Sequence, residues 1–281
     1  MPTKPSDSTG INWESTEVAE RRNRGRAQRS AMHGQATQMM LDLAGVATGS
    51  RVLDVAAGTG DQTLIAAQRV GPGGYVLATD IFASMLTLTA DTAREAGLTN
   101  IETRVMDADN IDLEADSFDA VICQIGLFLF ANPVTVLRAM RRVLRPGGKI
   151  AAVVFSTAER NPYQGVTLAV ARRFGSTPLP LFSLGETNVL ESTFRESGLF
   201  DVTVRAVSFA RYYSSSAEMM RRLKESAFPE ERSKNWLKPS VNRLGPKLSD
   251  SYANTKGLTG SISLASLSSV PELSENEDVL D

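Results

Sequence analysis

The run Asp54-Val55-Ala56-Ala57-Gly58-Thr59-Gly60-Asp61 has the composition of a ligand-binding turn. Glycine at 58 and 60 permits positive φ and lets a bound molecule approach the backbone with no Cβ in the way. The run joins an apolar strand pattern at 51–56 to a helical pattern at 61–70. That places it at the carboxyl end of a strand and the start of a helix, where open α/β sheets take ligands. A dinucleotide turn would continue to a third glycine three positions past Gly60, and that position is Thr63. Asp54, four positions before the first glycine, can brace the turn through backbone amides. It suits a ligand ammonium better than a pyrophosphate.

Asp80 and Asp107 extend the same chemistry. Asp80 directly follows the strand pattern at 75–79, and Asp107 comes just after the one at 101–105. A carboxylate at the end of the second strand can form charge-assisted hydrogen bonds to ribose hydroxyls. Ile81 beside it can press on an adenine face, and Asp107 can accept from an adenine amino group. Singly, each aspartate serves as readily as a turn or helix cap. Three at successive strand ends, beside a glycine turn, indicate an adenosine-like ligand without saying which one.

These residues need a frame. Strand patterns at 51–56, 75–79, 101–105, 118–124 and 149–155 alternate with helical patterns at 61–70, 84–96 and 133–144. Ser84 is the expected N-cap of the second of these helices, with Gly97 just past its end. The third begins at Pro133. Alternation at this spacing predicts βαβ units and a parallel sheet, and near-continuous apolar strands are those covered on both faces. The expected fold is therefore α/β, a doubly wound, mainly parallel sheet of the seven-stranded type.

Upstream, 14–33 and 35–43 read as two helices. Downstream, 161–174 and 186–197 read as helices around a Pro-rich loop at 177–185, with 201–213 a long strand and 216–227 a helix. Past Phe228 the periodicity fades. Residues 260–267 are the only remaining strand-like run, Ser-rich and weakly β-forming, so the last strand stays open. The expected division is a disordered lead at 1–12, a domain at 13–228 with N-terminal cap helices and an insertion at 157–200, and a divergent tail at 229–281.

Thirty basic against 32 acidic residues, a net charge of −2, give no surface suited to nucleic acid. The one basic cluster, 21–29, lies in a pattern that also holds Glu14, Glu17 and Glu20, and reads as a solvated helix face. Cys123, the single cysteine, excludes an intramolecular disulfide and reads as a core residue. Residues 1–10 lack the apolar stretch of a secretory signal, and no segment approaches the ~20 apolar residues of a membrane span. A cytoplasmic protein without a metal site is expected.

Five stretches carry a family resemblance: VLDVAAGTGDQT (52–63), TDIFASML (79–86), MDAD (106–109), FDAVICQIGLFLF (118–130) and LRAMRRVLRPGGKI (137–150). In this order they resemble the class I S-adenosylmethionine-dependent methyltransferases, most closely the ubiquinone/menaquinone C-methyltransferase-like group. The resemblance covers residues 35–155 and extends more weakly to about 225. It implies S-adenosylmethionine as cofactor, with Asp54, Ala56, Gly58, Thr59 and Gly60 around the methionine end. Asp80 and Ile81 would meet the ribose and adenine, Asp107 and Ala108 the adenine, and Gln124 would face the cofactor from the fourth strand. The Arg-Pro-Gly-Gly turn would reverse the chain into the fifth strand.

The same resemblance implies that the N-terminal helix covers the site. His33, the only histidine, then becomes the candidate catalytic group near the acceptor; a surface histidine at a helix end is the other reading. The expected activity is methyl transfer to a small, partly hydrophobic molecule such as a quinone-like or polyketide-like ring. Holding acceptor and methyl group in line can alone contribute ~7–11 kcal/mol. Phe128, Phe130, Tyr163 and Phe182 are open between pocket lining and core packing, and a homodimer is among the compatible assemblies. Two other readings remain: an inactive cofactor-binding relative, suggested by the unusual tail, and an NAD-dependent oxidoreductase, opposed by Thr63 in the place of a third glycine.

Overall fold

The computed structural model describes residues 13–173, 179–213, 215, 218, 221 and 257–268. Helices α1 (Thr16–Arg24) and α2 (Arg26–Leu43) lead into β1 (Arg51–Val55), α3 (Asp61–Val70), β2 (Tyr75–Asp80) and α4 (Ala83–Glu95). Then follow β3 (Ile101–Val105), β4 (Phe118–Gln124), α5 (Pro133–Arg142) and β5 (Leu144–Phe155). Helices α6 (Pro162–Arg173) and α7 (Thr187–Glu196), then strands β6 (Phe200–Tyr212) and β7 (Gly257–Ser268), complete the described chain.

All seven strands form one sheet in the order β3-β2-β1-β4-β5-β7-β6. Strands β1 to β5 are parallel, and β7 runs antiparallel between β5 and β6. This is the doubly wound α/β sheet expected from the alternating patterns, and β7 supplies the strand that the patterns left open. Val52, Leu53, Val121, Ile122, Ile150 and Val153 are fully buried, because helices cover both faces of the central strands. Helix α5 shows how the covering forms. Asn132 accepts from Thr135 N, Pro133 opens the first turn, and Val136, Leu137 and Met140 bury one stripe.

Four local expectations change. The N-terminal helices break at Gly25, whose N–H bonds back to Arg22 O, so His33 lies inside α2 and not at a helix end. Ser84 caps nothing: the residue before α4 is Phe82, whose N–H goes to Asp80 Oδ1, while the Ser84 hydroxyl donates to Trp13 O at 3.5 Å. The Arg-Pro-Gly-Gly segment lies within β5 as a bulge. Phe118 pairs with Leu144 and Ala120 with Lys149, and Gly147 absorbs the offset at φ 78°. Cys123 is buried in β4, where desolvation pushes its thiol pKa up.

The expectations for 1–12 lie outside the described residues, as do those for most of 216–227 and for all of 229–281 except 257–268. No helix among the described residues is long and apolar enough to cross a membrane.

Strand β7 is the sole link between β6 and the rest of the sheet among the described residues. A chain ended at residue 256 should therefore expose the β5 edge and release β6. Circular dichroism should show a lower and broader melting transition; an unchanged curve would mean that β7 contributes nothing to the sheet.

Candidate functional site

The turn after β1 is bent by positive φ at three alternate residues: Ala56 at 57°, Gly58 at 58° and Gly60 at 78°. Gly60 is the left-handed N-cap of α3. A Cβ there would come within 2.5 Å of Thr89 Cγ2 on α4, so the packing as well as the dihedral demands glycine. Thr89 holds the turn from the same side by donating to Gly58 O at 3.0 Å. On the sheet side, Ala57 N donates to Thr79 O of β2 at 2.9 Å.

Asp54 sits beneath this turn, fully buried. Its Oδ2 accepts from Thr63 Oγ1 at 2.6 Å and its Oδ1 from Gln62 Nε2 at 3.1 Å. Thus Asp54 braces the turn through two side chains of α3, not through backbone amides as expected. Thr63, standing where a dinucleotide turn has glycine, ties α3 to β1. Desolvation pushes the Asp54 carboxyl up to about 7, against the pull of these two bonds.

Asp80 bridges two strand ends. Its Oδ2 accepts from Gly58 N at 2.8 Å and its Oδ1 from Phe82 N at 3.0 Å. Burial raises its pKa, while the amides of Phe82 and Gly58 and the charge of Arg22 oppose the rise. Met106 N donates to Asp80 O at 3.0 Å, which brings the chain after β3 alongside. There Asp107 Oδ1 accepts from Asp109 N at 3.0 Å and caps the short turn Ala108–Asn110. Ile81 packs in a small apolar cluster with Trp13, Val18, Phe82 and Met85.

The structure thus gathers Asp54, Ala56, Gly58, Thr59, Gly60, Asp80 and Ile81 about the ends of β1 and β2, with Asp107 and Ala108 beside them. Gln124, at the end of β4, is joined to Thr37 of α2, with Oε1 and Oγ1 2.7 Å apart. The next residue, Ile125, has φ 55°, a strained value for a β-branched side chain. A Cβ on Gly126 would stand 2.9 Å from Ala56 Cβ, so the loop after β4 presses against the glycine turn.

His33 is 5% exposed, which overturns its surface reading. Because α2 runs unbroken past position 34 and packs across β4, β5 and β6, the ring is carried inside. It meets Phe209 edge-on at 5.3 Å and Phe155 at 6.4 Å, and Phe155 lies 6.3 Å from Phe128. Phe128 is buried core, and Phe130 and Phe182 pack partly buried against it. Tyr163 stacks on Tyr213 at 6.2 Å.

The basic cluster is the feature that sequence reasoning missed. Arg29 Nε lies 2.7 Å from Asp61 Oδ2 and its Nη2 donates to Thr59 Oγ1 at 3.0 Å. Arg26 donates to Thr59 O and places Nε 3.2 Å from Asp61 Oδ1. Arg22 lies over the Trp13 ring at 5.6 Å, and a Cβ on Gly58 would be 3.9 Å from its Nη2. Desolvation, then repulsion from Arg29, lowers the Arg22 pKa to about 10. The solvated-face reading is therefore corrected: these three arginines face the glycine turn. Their spacing of four and three, which would put side chains on one face of an unbroken helix, was the available signal.

Known proteins resemble this chain in sequence and in fold. The profile of the ubiE/COQ5 methyltransferase family matches residues 30–174. A ubiquinone/menaquinone biosynthesis C-methyltransferase UbiE of Pseudomonas savastanoi pv. phaseolicola is 40% identical over 126 residues, covering 44% of this chain and 49% of that one. The chain thus spans about half the length of that relative. In structure it is similar to the YcgJ protein of Bacillus subtilis, at TM-score 0.60 and 18% identity over 85% of this chain and 100% of that one. It is also similar to phosphoethanolamine N-methyltransferase 2 of Haemonchus contortus in complex with S-adenosyl-L-methionine. There the TM-score is 0.54 and the identity 19%, over 84% of this chain and 53% of that one. At these identities the structures share the fold.

Asp54 sets a pH dependence. Its folded pKa of about 7 stands above the unfolded 3.8, so the stability it contributes is complete below 3.8 and is lost as pH rises toward 7. Urea denaturation across this window should show stability falling, with Asp80 contributing in the same direction. Asp54→Asn should flatten the fall; an identical slope in the variant would show that Asp54 is not the group responsible.

Proposed function

This chain belongs to the ubiE/COQ5 methyltransferase family, and from that premise we propose that it transfers a methyl group from S-adenosylmethionine to a small, partly hydrophobic acceptor by in-line displacement. The observation that carries the reading is the Asp80 bridge, which joins the glycine turn of β1 to the end of β2. The residues fit the cofactor. Gly58 has no Cβ to obstruct a ligand, Asp80 and Asp107 offer carboxylate acceptors, and Ile81 offers an apolar face. When bound, S-adenosylmethionine supplies a methyl group on a positively charged sulfur.

What remains for the chain is to hold and to enclose. Ala56, Gly58, Thr59 and Gly60 frame the methionine end, with Asp54 bracing the turn from below. Asp80 and Ile81 take the ribose and adenine, Asp107 and Ala108 the adenine edge, and Gln124 the side next to the acceptor. Helices α1 and α2 exclude water from above. His33, Phe128, Phe155 and Phe209 form a largely apolar group at the α2 side of the sheet. That character supports a flat, ring-like acceptor, as does the name of the Pseudomonas relative, and His33 is the side chain that would take up a proton from it.

Calorimetric titration with S-adenosylmethionine, with NADH as control, tests the reading. The wild type should bind the first only, and Asp80→Ala should lose that binding; binding of NADH alone, or of neither, would overturn it. With a naphthoquinol as acceptor, His33→Ala should leave cofactor affinity unchanged and slow turnover by ~10²–10⁴-fold. Equal turnover would remove His33 from the mechanism.

A further inference from the structure

Arg22 has a guanidinium with no hydrogen bond or ion pair to any described residue. It lies over Trp13 beside Gly58, within the electrostatic reach of Asp80, and is partly withdrawn from water. A desolvated cation without a hydrogen-bond acceptor is costly, and the cost is recovered when an anion completes it. The surroundings have the same imbalance. Trp13 Nε1 is a buried donor without a hydrogen-bond partner among the described residues. Asp61 is shared between Arg26 and Arg29. Arg22, Arg26 and Arg29 gather about Asp61 and Asp80, with Arg21 and Glu95 acting on the same group, and Arg22 is the member of the three whose side chain has no polar partner among the described residues.

We propose that Arg22 recognises the α-carboxylate of the cofactor's amino-acid end and so closes α1 over the bound molecule; this rests on the cofactor reading above. The cofactor carries one carboxylate, remote from its adenosine, and the arginine cluster surrounds the turn assigned to that end. Helix α1 is built to deliver the group. Ser15 caps its start through Val18 N, Ala19 is buried against α4, and Trp13 stacks on Phe82 at 6.4 Å. Gly25 separates it from α2, which Arg26 and Arg29 fasten to Thr59 and Asp61, while Arg29 also donates to Arg22 O and ties the two helices together. The Arg22 backbone is thereby held, while its guanidinium makes no hydrogen bond to the described residues that a ligand would have to break.

The competing role is neutralisation of Asp80, and ligand choice separates the two. S-adenosylhomocysteine has the carboxylate; 5′-methylthioadenosine keeps the adenosine and the sulfur but lacks the amino-acid portion. Calorimetric titration of both into wild type, Arg22→Met and Arg22→Lys gives the answer. Arg22→Met should weaken S-adenosylhomocysteine by ~10- to 100-fold, the scale of a hydrogen bond to a charged group. It should leave 5′-methylthioadenosine within about twofold, and Arg22→Lys should recover part of the loss. Equal weakening of both ligands, or of neither, would overturn the assignment. Failure of the wild type to bind either would overturn the cofactor reading, and this inference with it.

Discussion

The site depends on one carboxyl group shared between two strand ends. Asp80 accepts from Gly58 N and Phe82 N at once, which fixes the turn after β1 relative to the start of α4. The parallel pairing of β1 with β2 brings these ends side by side, and Ala57 N to Thr79 O extends that pairing into the turn. Holding a carboxylate at such a depth costs desolvation energy, which the two amides and the nearby Arg22 offset. Asp54 lies one layer deeper and is satisfied by Thr63 and Gln62. Each of the two carboxyls resists ionisation, while cations gather above the same turn from α1 and α2. The result is a cradle with acidic groups below, arginines above and a glycine surface between.

Much of this frame was legible in the sequence because it is local. Strands β1, β2 and β4 form largely apolar runs of five to seven residues, β3 is a short mixed strand, and the ends of all four fall within a residue of the expected positions. The glycine turn and the three aspartates follow from where those strands end. The Ser-rich run that becomes β7 lacked β-forming composition because pairing on both edges, with β5 and β6, supplies what its propensity does not. Likewise the Arg145-Pro146-Gly147-Gly148 segment reads as a turn by composition, yet it forms a bulge within a strand paired with β4.

Tertiary placement was harder to read. A helix of mixed charge looks solvated when only its glutamates and arginines are counted. Arg26 and Arg29 bond the turn and Arg22 lies beside it, and the chain breaks at Gly25 and not at Gly34. The same break carries His33 off the surface into the row of Phe128, Phe155 and Phe209. Asp54 shows the reverse: its importance was visible, but its partners Gln62 and Thr63 emerge only when α3 turns back over β1.

A crystal structure of the protein with S-adenosylhomocysteine is the most direct measurement of whether this cradle holds the cofactor. The adenosine should lie across the carboxyl ends of β1, β2 and β3 with its ribose against Asp80, and the homocysteine end over Gly58 and Gly60. Ligand density away from Asp80 and the glycine turn would contradict the assignment.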